Sequence, residues 1–218
     1  MSYSRSNPSD KYKSLIAQYR LMHETGEQFL GIPPDKTFPG LSLPPQAARI
    51  KRLIDKTDSL NILDYGSGKG KQYDPMSIKI GNQKFDSIID YWDVAGVHCY
   101  DPCYAPFSNL PVGQFDGVIS TDVLEHCPED DLPWILEEIF SYARNFVFAN
   151  VACYPAKKRL PDGQNAHITI KSPEWWDSLL QEISPRFPQI LWEVWIQTID
   201  KTCGSHQPVE TCLTNKNL

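Results

Sequence analysis

The sequence predicts an α/β domain: a doubly wound, mostly parallel sheet of seven strands with an antiparallel last strand. A chain of 218 residues is long enough for seven strands, and three strand-to-loop corners predict the doubly wound parallel sheet. The first is Asn61-Ile62-Leu63-Asp64-Tyr65-Gly66-Ser67-Gly68-Lys69-Gly70. An apolar run, as a doubly covered strand requires, ends in an aspartate and passes into glycines at alternate positions. A loop without Cβ atoms turns sharply and lets the backbone approach a ligand. The second corner, Val97-His98-Cys99-Tyr100-Asp101-Pro102, is again a strand ending in an acid. A carboxylate there is placed to accept hydrogen bonds from both hydroxyls of a ribose. The third runs from Phe115 to His126, opening with Phe-Asp and closing on a polar loop that faces the same crevice.

The remaining elements follow in order. Residues 1–9 are rich in Ser and Asn and are expected to lack fixed structure. Asp10 to Glu27 carries Tyr12, Leu15, Ile16, Tyr19, Met22 and His23 at helical spacing. Phe29 to Pro45, rich in Pro and Gly, reads as an irregular strap. Pro45 to Lys56 reads as a second helix with Ala48, Ile50, Leu53 and Ile54 inward. The expected division is therefore residues 1–44, a helix and strap, and residues 45–218, the main domain. Between Gly70 and Asp101 the chain is longer than one helix and its return require, and Asp74-Pro75 and Gly81-Asn82 signal turns; an inserted loop or hairpin is expected. Pro102 to Gln114 is too short for a full crossover, so the usual helix and edge strand there should be reduced or missing. Glu129 to Arg144 is a helix with Leu132, Ile135, Leu136, Ile139 and Phe140 inward, and Phe146 to Val151 is a buried strand. Ser172-Pro173-Glu174 combines a capping serine, a proline at the first helical position and an acid in the first turn, starting a helix to about Ser184. Ile190 to Gln197 is a strand, and Pro208 to Leu213 its antiparallel partner.

Composition narrows the function classes. A net charge of −6, with no basic run beyond Lys157-Lys158-Arg159, argues against a phosphate-tracking nucleic-acid surface. No apolar stretch has the length of a membrane span, and the first residues are polar, without a signal-peptide core; a cytoplasmic location and no membrane partner are expected. The six cysteines form no CxxC pair and read as free thiols. Cys99, Cys103, His126 and Cys127 lack metal-ligand spacing, so no metal is expected.

With these residues in hand, the stretch from Leu43 to Trp195 resembles the class I S-adenosylmethionine (SAM)-dependent methyltransferases, nearest to the small-molecule group whose third motif reads D-V-L-E-H. The resemblance implies a Rossmann-like fold, SAM as cofactor and a small-molecule acceptor, methylated at O, N or C by a monomer or homodimer. It implies that Asp64, Gly66, Ser67 and Gly68 shape the methionine pocket, that Asp101 holds the ribose, and that Thr121 and Asp122 face the cofactor. The family's acid for the adenine amino group has no counterpart between Pro102 and Gln114, which leaves Asn109 and Leu110 among the few local candidates. His126 matches the motif histidine and is a candidate to orient or deprotonate the acceptor; the alternative is a capping role. His167, in a long polar loop after the fourth strand, is the second such candidate, or else a strand-end histidine. Lys157 and Arg159 are either a solvated run or a clamp for an anionic acceptor, and Trp175 is a candidate pocket wall. The N-terminal helix and strap lie, by the same resemblance, over the site as a lid. A non-catalytic SAM-binding partner subunit is the alternative reading. The GxGxG spacing disfavours an NAD-dependent oxidoreductase.

Overall fold

The structure is a computed structural model and describes residues 3–80, 82–199 and 208–215. The helices are α1 (Asp10–Thr25), α2 (Ala47–Thr57), α3 (Ile88–Trp92), α4 (Leu132–Tyr142) and α5 (Pro173–Ile183). The strands are β1 (Asn61–Tyr65), β2 (Ile78–Ile80), β3 (Gln83–Phe85), β4 (Gly96–Tyr100), β5 (Phe115–Thr121), β6 (Ala143–Ala152), β7 (Leu191–Ile199) and β8 (Pro208–Thr214). Six strands form one sheet in the order β4-β1-β5-β6-β7-β8. All neighbours are parallel except β7 and β8. The strands alternate with helices, and β1 sits between β4 and β5, so the chain leaves it first to one side and later to the other. That reversal opens a crevice at the carboxyl ends of the three strands.

Side-chain burial shows two layers of helices. On one face Ile135, Leu136, Ile139 and Phe140 of α4 and Trp176, Leu180 and Ile183 of α5 pack with Leu63, Val118 and Val147. On the other, Ile50, Leu53 and Ile54 of α2 and Ile88 and Trp92 of α3 pack with Ile62, Ile119, Phe146 and Phe148. Local chemistry sets the helix ends. The hydroxyl of Ser9 accepts from the Tyr12 amide at the start of α1, and Ser172 caps α5 ahead of Pro173. Among the described residues no helix is long and apolar enough to cross a membrane.

Two expectations are corrected. The sheet has six strands among the described residues, not seven. Pro102 to Gln114 forms only a 3-10 turn, Ala105–Phe107, so β4 is the edge. Three prolines in that segment lack the N–H that a further strand would donate. The second correction is at the start of the chain, where Tyr3 to Ser9 is held in place. Arg5 donates to both carboxylate oxygens of Glu138 and to the Tyr65 hydroxyl, and Ser9 donates through its amide and hydroxyl to Asp131. The expected insertion in the first crossover is the β2–β3 hairpin. Cys203 lies outside the described residues; the other five cysteines are free thiols.

Gly117 in β5 shows how tightly the sheet centre is filled: a Cβ there would lie 2.2 Å from the Phe146 ring. Gly117→Ala should therefore cost about 1–3 kcal/mol through overpacking, read as a lower urea midpoint at unchanged slope.

Candidate active site

The glycine turn after β1 is built by converging backbone bonds. The amides of Gly66 and Ser67 both donate to the Tyr100 carbonyl at the end of β4, at 2.7 and 3.1 Å. Asp101 then closes the corner, accepting from the Gly68 amide at 2.9 Å and the Cys103 amide at 2.8 Å. Gly68 has φ +59°, and a Cβ on it would lie 2.7 Å from the Phe38 carbonyl of the strap. Its lack of a side chain thus serves both conformation and contact.

Beside this turn is a cavity of about 220 Å³ at the carboxyl ends of β1, β4 and β5. The sheet contributes Gly66, Ser67, Gly68, Asp101, Thr121, Asp122 and His126 to its wall. Its roof comes from α1, through Tyr12, Leu15, Ile16, Tyr19 and His23, and from the strap Phe38 to Ser42. Asp64 lies beneath the floor, fully buried. Its Oδ2 accepts from Gln72 at 2.9 Å and from the Tyr73 hydroxyl at 2.7 Å, while Oδ1 has no partner. Ser67 Oγ and Gln72 Oε1 are also buried without partners.

The loop after β5 takes an unusual path. Asp122 has φ +61°, a left-handed conformation that Asp tolerates better than most residues, and its amide donates to the Asn150 carbonyl. The short turn Leu124–His126 then points Glu125 inward and His126 to the cavity. The carbonyl of Glu125 accepts the amides of Ile168 and Thr169, both at 3.0 Å. This clasp brings the loop after β6, with His167, against the loop after β5. The rings of His126 and His167 meet edge to face, 4.7 Å between centroids. Each histidine is oriented through Nδ1: that of His126 lies 2.9 Å from the Ala166 carbonyl and 2.7 Å from the Tyr19 hydroxyl, and that of His167 lies 2.5 Å from the Tyr154 carbonyl. The Tyr19 hydroxyl itself donates to the Ala166 carbonyl, so His126 Nδ1 carries the proton and Nε2 the lone pair.

Burial sets the charge states. It drives His126 down to about 4 against the pull of Asp122, so the ring is neutral at neutral pH. It would raise Asp122, but His126, Glu125, Ser42 and His167 outweigh it and hold that carboxyl below its usual range. Burial, reinforced by Asp122, holds Glu125 well above the usual range. Asp64 and Asp101 are each pushed up to about 6, chiefly by burial.

Ser67, Gly66, Gly68, Asp101, Thr121, Asp122 and His126 thus meet at one cavity, with Asp64 and His167 just behind its wall. Asn109 and Leu110 are not among its lining residues, and Leu110 is exposed. Lys157 and Arg159 are exposed; Arg159 donates to the Gly163 carbonyl. Their neighbour Lys158 lines the cavity and lies over the Phe38 ring. Trp175 is half-buried against Trp176 and beneath Lys171, away from the cavity. Sequence reasoning missed Tyr19, Phe38, Ser42, Gln72 and Glu125 as site residues. For Glu125 the signal was its place inside the third motif, and for Gln72 its place four residues after Gly68; for Tyr19, Phe38 and Ser42, far from these corners along the chain, there was none. Comparison with family models, with curated proteins and with solved structures found no match for this chain.

Asp64 titrates near 3.8 when unfolded and near 6 when folded, so the folded chain holds its proton to higher pH. Folding stability from this group is complete below 3.8 and falls by about 3 kcal/mol as pH rises through 6. Asp64→Asn, uncharged throughout, should therefore be more stable than the parent at pH 7.5 and equal to it near pH 3.8, measured by urea unfolding. A variant weaker at pH 7.5 would show that the carboxylate is structural.

Proposed function

We propose that this chain transfers a methyl group from SAM to an O, N or C atom of a small-molecule acceptor. The observation that carries this reading is the group of buried polar atoms left without partners beside the glycine turn: Asp64 Oδ1, Ser67 Oγ and Gln72 Oε1. Each such atom costs about 1–3 kcal/mol, so three in one place suit a polar ligand group that completes them. The methionine end of SAM, an ammonium beside a carboxylate, is such a group. Asp64 and Gln72 would accept from the ammonium, Ser67 would donate to the carboxylate, and Asp101 would take the ribose hydroxyls on lone pairs left free by its backbone donors. When bound, SAM supplies a methyl carbon made electrophilic by the sulfonium.

The chain's own residues align the acceptor and handle its proton. His126 is neutral, lines the cavity, and is oriented through Nδ1, which leaves Nε2 to accept a proton from the acceptor. Asp122 beside it stabilises the imidazolium so formed. The N-terminal helix and strap roof the cavity, and we assign them the role of a lid that excludes water during transfer.

Calorimetric titration tests the reading. SAM should bind one per chain, whereas NAD should not bind. Asp64→Asn should lower SAM affinity at least tenfold, about 1.4 kcal/mol or more, at pH 7.5. At pH 5.5, below the carboxyl's raised value, SAM binding should release a proton as Asp64 ionises against the ammonium, seen by repeating the titration in buffers of different ionisation enthalpy. Equal affinity for the variant, with no proton released, would remove Asp64 from the ligand.

A further inference from the structure

Asp122, Glu125, His126 and His167 come together at the cavity wall from two loops. One potential donor atom from each lies within 4.8 Å of all the others, the only such group of three or more among the described residues. Each side chain has one polar atom committed elsewhere. His126 Nδ1 faces the Ala166 carbonyl, and His167 Nδ1 the Tyr154 carbonyl. Glu125 Oε1 accepts from the Ala152 amide at 2.6 Å, and Asp122 Oδ2 from the Ser42 hydroxyl at 2.8 Å.

The atoms left over are the possible ligands. Glu125 Oε2 is buried without a partner. His167 Nε2 stands 3.9 Å from Asp122 Oδ1, too far for a hydrogen bond. With Nδ1 of each ring facing a backbone carbonyl, the Nε2 lone pairs are left to the group. Histidines fixed through one nitrogen by a carbonyl, with the other free, are the usual arrangement of imidazole ligands to a metal. The span of 4.8 Å is slightly wider than opposite ligands at about 2.1 Å from a shared ion, so closure needs only small side-chain movements.

We propose that Asp122, Glu125, His126 and His167 bind one divalent first-row transition-metal ion. Two imidazoles and two carboxylates suit manganese, iron, cobalt or zinc better than magnesium or calcium, which prefer oxygen alone. His126 and Asp122 line the cavity, so coordination positions that the protein leaves open face it. An acceptor with two adjacent oxygens, such as a vicinal diol, a catechol or an α-hydroxy acid, fits such positions. This choice of acceptor rests on the methyl-transfer reading; the ion site does not. In the ion-bound protein His126 Nε2 is a ligand, and the proton of the acceptor leaves to water.

The test uses the full chain treated with EDTA and dialysed, titrated with cobalt(II) and, separately, manganese(II). Cobalt should give visible d–d absorption saturating at one ion per chain, and either ion should raise the melting temperature. Asp122→Asn, which tolerates the left-handed backbone, and His167→Gln should each weaken binding at least tenfold while melting, free of ion, within a few degrees of the parent. No cobalt spectrum and no ion-dependent melting shift in the parent would overturn the site, as would unchanged affinity in both variants. SAM titrated into the ion-free chain is read separately: SAM binding without ion binding overturns this inference alone, and ion binding without SAM binding overturns the methyl-transfer reading alone.

Discussion

The convergence of two backbone amides on one carbonyl organises the site. Gly66 and Ser67 both donate to Tyr100 at the end of β4, tying the loop after the central strand to the loop after the edge strand. Asp101, next in sequence, then accepts from Gly68. The floor of the cavity is thus fixed mainly by main-chain bonds between two parallel strands. Side chains are left free there, and the polar atoms that remain without partners belong to Asp64, Ser67 and Gln72.

Buried acids are the second theme. Asp64, Asp101 and Glu125 all sit out of solvent, and burial raises the proton affinity of each. A fold selected for stability alone would gain by replacing them, because a buried carboxylate without a full set of partners costs free energy. Glu193 is the contrast. It is equally buried in β7, but Arg52 of α2 reaches both its oxygens at 2.8 Å. Asp131, also fully buried, accepts from the Ser9 amide and hydroxyl and from the Trp134 indole, so both its oxygens are occupied, whereas Asp64 and Glu125 at the cavity each keep an oxygen without a partner.

The N-terminal segment belongs to both the fold and the site. Tyr12 packs edge to face on Trp134 in the main core, and Arg5 is paired to Glu138 on α4. Over the next three turns of α1, Leu15, Tyr19 and Met22 pack on Leu160 and Ala166 of the loop after β6. Tyr19 then touches His126. A movement of this helix that keeps Tyr12 in place while releasing Tyr19 would open the roof without uncovering the core.

The sequence by itself determined the strand-to-loop corners, because each is written in a contiguous run: apolar residues, an acid, then residues that permit a turn. It determined the helix start at Ser172 for the same reason, since caps act over a few residues. Asp64, Asp101 and His126 were legible as candidates because they stand at those corners; Asp101 and His126 line the cavity and Asp64 lies beneath it. Tertiary structure alone decided which distant segments meet there. Nothing near Tyr19 or Ser42 signals a contact with His126 or Asp122, 107 and 80 residues away. His167 met His126 through bonds between two distant loops, among them the two amides that clasp the Glu125 carbonyl and the contact of His126 Nδ1 with the Ala166 carbonyl. Leu110 and Trp175 fell outside the cavity because their side-chain directions depend on packing partners that no local pattern encodes. Local chemistry acts within a turn or a strand; the choice among distant partners follows from how the whole sheet and its loops pack.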